Sequence, residues 1–286
     1  MSRMTELYAD ITDKVKAMLN EGVIPWRKAW RTGIPRNYVT NRVYRGINFL
    51  NLSLNDFPSP FYISFLQCKE KEGQILKGSK STQVVFWKVA PYSNETEAEI
   101  ETRTSLIWRF YNVFNLSQTS LYNESENQPI ILECEELLHS MEEQPVIKHN
   151  ISRCCYNKME DYITIPVISD FYTAGEYYSS LFHELIHWTG HKSRLNRFSF
   201  YTDNDDKGIE ELTAEIGGSY LCSLCGIESA VLENQASYIS GWLKLIEDKE
   251  NALRIALKQS QTAVDFIISN NPLLYPAEKH EHLSHA

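Results

Sequence analysis

No stretch of this 286-residue sequence stays apolar over the roughly 18 residues a membrane span needs. The first thirty residues also lack an unbroken apolar segment. Glu6, Asp10, Asp13, Lys14 and Lys16 interrupt Met4–Leu19, which predicts an amphipathic helix instead of a secretory leader. Cys222-x-x-Cys225 has no second C-x-x-C to complete four thiolates, so a structural zinc ribbon is not expected. Cys68, Cys134, Cys154 and Cys155 show no framework spacing either. Six free thiols in a cytoplasmic chain are the expectation. There is no internal repeat, no low-complexity tract and no Walker-type phosphate loop.

What is present is an ordinary globular composition, 43% hydrophobic and 23% charged. The net charge of −9 conceals an asymmetry. Residues 1–92 hold 14 Lys and Arg against 7 Asp and Glu, a net of +7, and the remainder carries −16. A length of 286 residues allows one large domain or two ordinary ones, and the charge split favours two.

Leu7, Ile11, Val15 and Leu19 recur at helical spacing, and Gly22 closes that pattern. Tyr62–Lys71 reads as a helix. Val84–Val89 and Leu106–Phe114 read as strands joined by a polar loop, Ser93–Thr104. Tyr122–Gln128 reads as a linker and Ile130–Ser140 as a connecting helix. Tyr162–Val167 reads as a strand, placed at an edge by Pro166. Helices are expected over Ser180–Thr189, Gly208–Cys225, Gln235–Ser260 and Ala263–Ser269, with a frayed tail after Pro276. The expected class is α+β. A mixed α+β domain (1–125) precedes a linker (126–145) and a mainly helical domain (146–286).

The strongest chemical signal is His183-Glu184-Leu185-Ile186-His187. Composition alone would produce an H-E-x-x-H about 0.02 times in a chain of this length. Tyr178, Leu181, Phe182, Leu185 and Ile186 form an apolar stripe around it, so the segment is an amphipathic helix. His183 and His187, four apart, project from one face and can grip a single Zn²⁺. Glu184 lies beside them as a general base for a zinc-activated water. A third protein ligand is needed. Position 193 is Ser, which excludes the longer pattern with a third His one turn on, and His191 follows the Gly190 stop too closely. The best source is Glu210-Glu211-Leu212-Thr213-Ala214-Glu215, where Glu211 and Glu215 share a helix face. This resembles the thermolysin-like zincins, in which the first acid binds metal and the second supports a ligand histidine. That makes Glu211 the ligand and Glu215 its outer partner, with the reverse assignment as the alternative. One Zn²⁺ per chain is expected, and other divalent ions remain open. The strand before the active helix is expected to align a peptide by backbone pairing.

The front of the chain mixes cations with rings. Trp26, Arg27, Trp30, Arg31, Arg36, Tyr38, Arg42, Tyr44 and Arg45 fall within twenty residues. Single strands are bound by basic grooves with aromatic platforms, and no helix-turn-helix or finger signature for duplex readout is present. Lys77-Gly78-Ser79-Lys80 adds a basic turn, with Lys77 and Lys80 as phosphate contacts. The predicted partners are single-stranded DNA and a protein substrate, with no membrane.

Taken together the chain resembles the ArdC antirestriction proteins of conjugative plasmids and the N-terminal region of the TraC plasmid primases. The resemblance rests in front on Ile24-Pro25-Trp26-Arg27-Lys28-Ala29-Trp30, Tyr44-Arg45-Gly46-Ile47-Asn48, Val85-Phe86-Trp87-Lys88 and Tyr111-Asn112-Val113-Phe114-Asn115. Behind, it rests on His183–His191, Arg194-Leu195 and Glu210–Glu215. It implies an N-terminal single-stranded-DNA-binding domain, a C-terminal zincin-like metallopeptidase domain, carriage by mobile elements and protection of incoming DNA. A restriction or host-defence component is the implied protein target. The alternative is a DNA-protective module whose zinc site is structural or only weakly proteolytic.

Overall fold

The computed structural model describes residues 2–30, 33–91, 104–123, 132–149, 153–200, 204–227, 235–249 and 251–271. Arg31, most of the Ser93–Thr104 loop, the end of the expected linker and the C-terminal tail lie outside them. In chain order the elements begin with α1 (Arg3–Asn20), a 3-10 helix (Pro25–Trp30), β1 (Arg36–Asn37) and α2 (Gly46–Ser53). Next come β2 (Phe61–Ser64), α3 (Phe65–Glu70), β3 (Thr82–Pro91) and β4 (Thr104–Asn115). Then follow α4 (Cys134–His139), β5 (Val146–His149), β6 (Cys155–Asn157), β7 (Tyr162–Ile165) and α5 (Ala174–Thr189). α6 (Asn204–Leu224), α7 (Gln235–Asp248) and α8 (Ala252–Ile268) complete the order. The class is α+β, as expected.

The chain divides into two compact units. One comprises residues 1–35, 42–56 and 129–286, and the other residues 36–41 and 57–128. This division does not follow the expected partition at residue 125. α1, the 3-10 helix and α2 belong with the C-terminal helices because their apolar faces are covered there. Leu7, Ile11, Val15 and Leu19 of α1 are all buried, and α1 packs on α7. Burying each such side chain contributes about 1.5–3 kcal/mol, which decides where the helix goes.

The first unit has a helical core around α5, α6 and α8, with Phe182, Leu185, Ile186, Leu221 and Ile267 fully buried. A three-stranded sheet of order β5-β7-β6 lies beside α5. β7 is therefore the central strand, not the edge. It pairs in parallel with β5 and antiparallel with β6, and Pro166 falls just past its end. The strand next to the helix with an open side is β6. Cys222 and Cys225 are buried in the core of this unit, and the six cysteines are free thiols. The expected helix over Gln235–Ser260 is two helices, α7 ending at Asp248 and α8 beginning at Ala252.

The second unit is built on a four-stranded sheet of order β1-β2-β4-β3. β3 and β4 pair antiparallel from Thr82↔Val113 to Pro91↔Thr104, confirming the hairpin. The expected helix over Tyr62–Lys71 divides at Ser64. Phe61–Ser64 is strand, and Ser64 then caps α3 through a reciprocal box with Gln67. Phe61, Ile63, Cys68 and Leu116 form this unit's core.

Candidate metal centre and nucleic-acid interface

α5 presents the H-E-x-x-H face because its opposite face is apolar and sealed. Leu181, Phe182, Leu185 and Ile186 are at most 1% exposed. Thr173 caps its start by accepting from the Glu176 N–H. Its end is held by two arginines. Arg197 Nη2 donates to the Ile186 carbonyl at 2.6 Å and Arg194 Nε to the Trp188 carbonyl at 2.8 Å. Cations there also favour the negative end of the helix dipole. Gly190 is required by this arrangement. A Cβ at that position would lie 2.9 Å from Phe198 Cζ and 3.0 Å from Arg197 Nη2.

α6 crosses α5 closely because it carries Gly217 and Gly218. A Cβ on Gly218 would meet the His183 backbone at 3.3 Å. That approach brings the Glu211 carboxylate to both imidazoles. Glu211 Oε2 lies 3.6 Å from His183 Nε2 and 3.8 Å from His187 Nε2, and the two Nε2 atoms are 3.2 Å apart. Donors about 2.1 Å from one tetrahedral ion stand about 3.4 Å from each other, so these three atoms suit a shared divalent ion. Among the described residues they are the only trio of His, Cys, Asp or Glu so disposed.

Behind His187 stands Glu210, not Glu215. Glu210 Oε1 is 3.0 Å from His187 Nδ1, and an ionised carboxylate can only accept. Nδ1 therefore donates, which leaves Nε2 as the ring nitrogen on the Glu211 side. Glu210 is in turn clamped by Arg197 through Nε at 3.1 Å and Nη2 at 2.8 Å, with both residues buried. Burial opposes the charge on His187, but Glu210 and Glu211 outweigh it and raise its pKa to about 10. Burial likewise opposes ionisation of Glu210, yet His187 and Arg197 hold it down at about 2. Packing also opposes ionisation of Glu211, but the two imidazoles keep it well below the usual carboxylate range. Glu215 instead meets His183, with Oε1 3.7 Å from Nδ1. Sequence spacing had singled out the i, i+4 pair Glu211 and Glu215 and passed over Glu210. The only signal for Glu210 was its place in the Glu210-Glu211 doublet.

Glu184 is buried, and its Oε2 accepts from the Tyr156 N–H of β6 at 2.7 Å. It lines a cavity of about 290 Å³ together with His183, Glu211, Glu215, Tyr238 and Trp242.

Comparison with known proteins follows this geometry. A zincin-like metallopeptidase family model matches residues 133–259, and the model for the N-terminal domain of the anti-restriction factor ArdC matches residues 5–114. Residues of the second match fall in both compact units. The crystal structure of metal-free antirestriction ArdC from plasmid R388 superposes with a TM-score of 0.76 at 31% identity. It covers 92% of this chain and 97% of that one. The chain belongs to the ArdC antirestriction family. The Mn(II)-bound structure of R388 ArdC matches at 32% identity and a TM-score of 0.73, with the same coverage. The uncharacterised protein y4eC of Sinorhizobium fredii is 26% identical over 92% of both chains. The DNA primase TraC of Escherichia coli is 24% identical over 92% of this chain, which spans 27% of that protein.

In this ArdC-family chain the basic, aromatic segment is not one surface. Trp26 is fully buried, its ring edge-on to Trp242 at 5.2 Å, so it serves the core and offers no platform. Arg36 and Tyr44 are buried too. Arg27 turns into the metal-site cavity. Arg45 pairs with Asp265 at 3.0 Å. Tyr38 is half-buried against Phe61, and Trp30 lies in the 3-10 helix. Arg42, Lys77 and Lys80 are exposed. Exposed rings are found instead on the β3–β4 hairpin, where Phe86, Trp108 and Tyr111 are 46%, 44% and 38% exposed. Phe86 sits opposite Arg109 in register and touches Tyr111 at 5.8 Å. The signal available for them was Arg109 set among Trp108, Phe110 and Tyr111, in a segment read only as a strand. No helix among the described residues is long and apolar enough to cross a membrane.

Proposed function

We propose that this protein is a metal-dependent peptidase that also holds single-stranded DNA. The observation that carries the first half is the convergence of His183, His187 and Glu211 beside Glu184 in one cavity. His183 Nε2, His187 Nε2 and Glu211 Oε2 hold one divalent ion, zinc by the donor set, with manganese also accommodated. The Mn(II)-bound relative supports a divalent ion in this family. When bound, the ion supplies Lewis-acid polarisation of a carbonyl and makes water more acidic.

The chain's own groups do the rest. The Tyr156 N–H fixes Glu184 Oε2, leaving Oε1 to take a proton from the attacking water and deliver it to the leaving amine. Glu210 fixes the His187 tautomer, and Arg197 fixes Glu210. Glu184→Gln tests the reading. Peptide hydrolysis should fall by about 10²–10⁴-fold with metal still bound. Antirestriction that survives this change undiminished would assign the site to protection without proteolysis.

The DNA half is supported by the exposed hairpin rings flanking Arg109 and by the primase and antirestriction relatives. Bases stack on Phe86 and Tyr111, which share a sheet face with Arg109, while Arg109, Lys77 and Lys80 meet phosphates. Single strands should bind better than duplex, with affinity falling as salt rises.

A further inference from the structure

Two Arg–Glu–His chains run into the metal site, and only one comes from its own segment. Arg197 clamps Glu210, and Glu210 meets Nδ1 of His187. On the other side Arg27 Nη2 donates to both oxygens of Glu215, at 3.4 and 3.2 Å, and Glu215 Oε1 stands 3.7 Å from Nδ1 of His183. Arg27 and Glu215 are 14% and 8% exposed. Arg27 comes from the Pro25–Trp30 helix, which packs on α6, the helix that carries Glu211 and Glu215. Buried Trp26 fixes that turn against Trp242, so the next residue is aimed into the cavity.

We infer that Arg27 is a positioning residue of the metal centre: it holds Glu215 behind His183 as Arg197 holds Glu210 behind His187. A carboxylate behind an imidazole sets ring orientation and raises the basicity of the metal-facing nitrogen. The Arg27 contact to both oxygens fixes the orientation of the Glu215 carboxylate in a cavity that it shares with Glu184 and Glu211. Those same three carboxylates make the pocket hostile to a phosphate, which removes Arg27 from the nucleic-acid surface. The Pro-Trp-Arg motif of the N-terminal segment thus completes the C-terminal site.

This inference rests on the metal reading above, and one experiment separates the two. Mn(II) binding to the full chain is followed by the electron paramagnetic resonance of the free ion. No binding by the unaltered chain overturns the metal reading and this inference with it. Arg27→Met and Glu215→Gln should each weaken Mn(II) by about 10–100-fold. The double variant should be no weaker than either single one, because both act through one contact. Arg27→Lys, which keeps the charge but not the reach and planar geometry of the guanidinium, should fall between and covers the case in which Arg27→Met does not fold. Unchanged Mn(II) affinity, or additive losses, overturns the assignment. So does a loss of oligo-dT binding in Arg27→Met with Mn(II) affinity intact.

Discussion

Glu210→Ala probes the site and the fold together. Glu210 and Arg197 are each 5% exposed and make two direct hydrogen bonds. Deleting the carboxylate leaves the Arg197 guanidinium buried with its hydrogen bonds to Thr189 and the Ile186 carbonyl but without a counterion. Removing one partner of a buried pair costs about 3–5 kcal/mol. At about 2–4 °C per kcal/mol for a chain of this size, the melting temperature should drop by about 10 °C. His187 also loses the acceptor at Nδ1, so divalent-metal affinity should weaken by about 10–100-fold. Differential scanning calorimetry and metal titration read the two effects. Arg197→Met should cost a similar amount, and the double variant little more than either single one, because the charge left uncompensated has gone. A melting temperature within about 2 °C of the parent, or simple addition in the double variant, would refute the reasoning.

Asp161 accepts from Arg194 and from the Tyr156 hydroxyl, and the Arg194 hydrogen bond is the main reason its pKa lies below the ordinary value. A depressed pKa gives stability that is full above the unfolded value near 4 and lost as pH falls through the folded one. Asp161→Asn should therefore cost about 2 kcal/mol at pH 7, and the gap to the parent should close in acid; a constant gap down to pH 2 would contradict this. Gly218→Val should force α5 from α6 at His183 and weaken metal binding more than Gly241→Val, which meets nothing within 4 Å; equal metal affinities in calorimetric titration would count against the close-crossing argument. Tyr111→Ala should reduce oligo-dT affinity by about 1–3 kcal/mol with little effect on metal binding, measured by fluorescence anisotropy across a salt series.

Local pattern made several features legible. The α1 stripe, the β3–β4 hairpin and the α5 helix with its two histidines on one face all follow from periodicity, a property of adjacent residues. Glu211 was reachable because i, i+4 spacing and the need for a third donor are both local arguments. Other assignments failed where the deciding contact is distant. Trp26 and Tyr44 have the composition of a binding surface, but burial depends on what packs over them. Pro166 suggested an edge, yet it falls just past the end of β7, which is flanked by its own sequence neighbours β5 and β6, strands too short and weakly patterned to be read locally.

Cys222 and Cys225, the first in α6 and the second just past its end, fill core positions. Sequence alone determined the chemistry available: an imidazole pair, a carboxylate between them in sequence, carboxylates four apart and a basic, aromatic front. Tertiary structure decided the assignments. Which glutamate stands behind which imidazole, and which arginine holds it, depends on a helix crossing set by Gly217 and Gly218. It depends equally on a 3-10 turn brought 188 residues along the chain to Glu215. Such contacts are fixed by the burial of apolar faces far apart in sequence, so no local spacing encodes them.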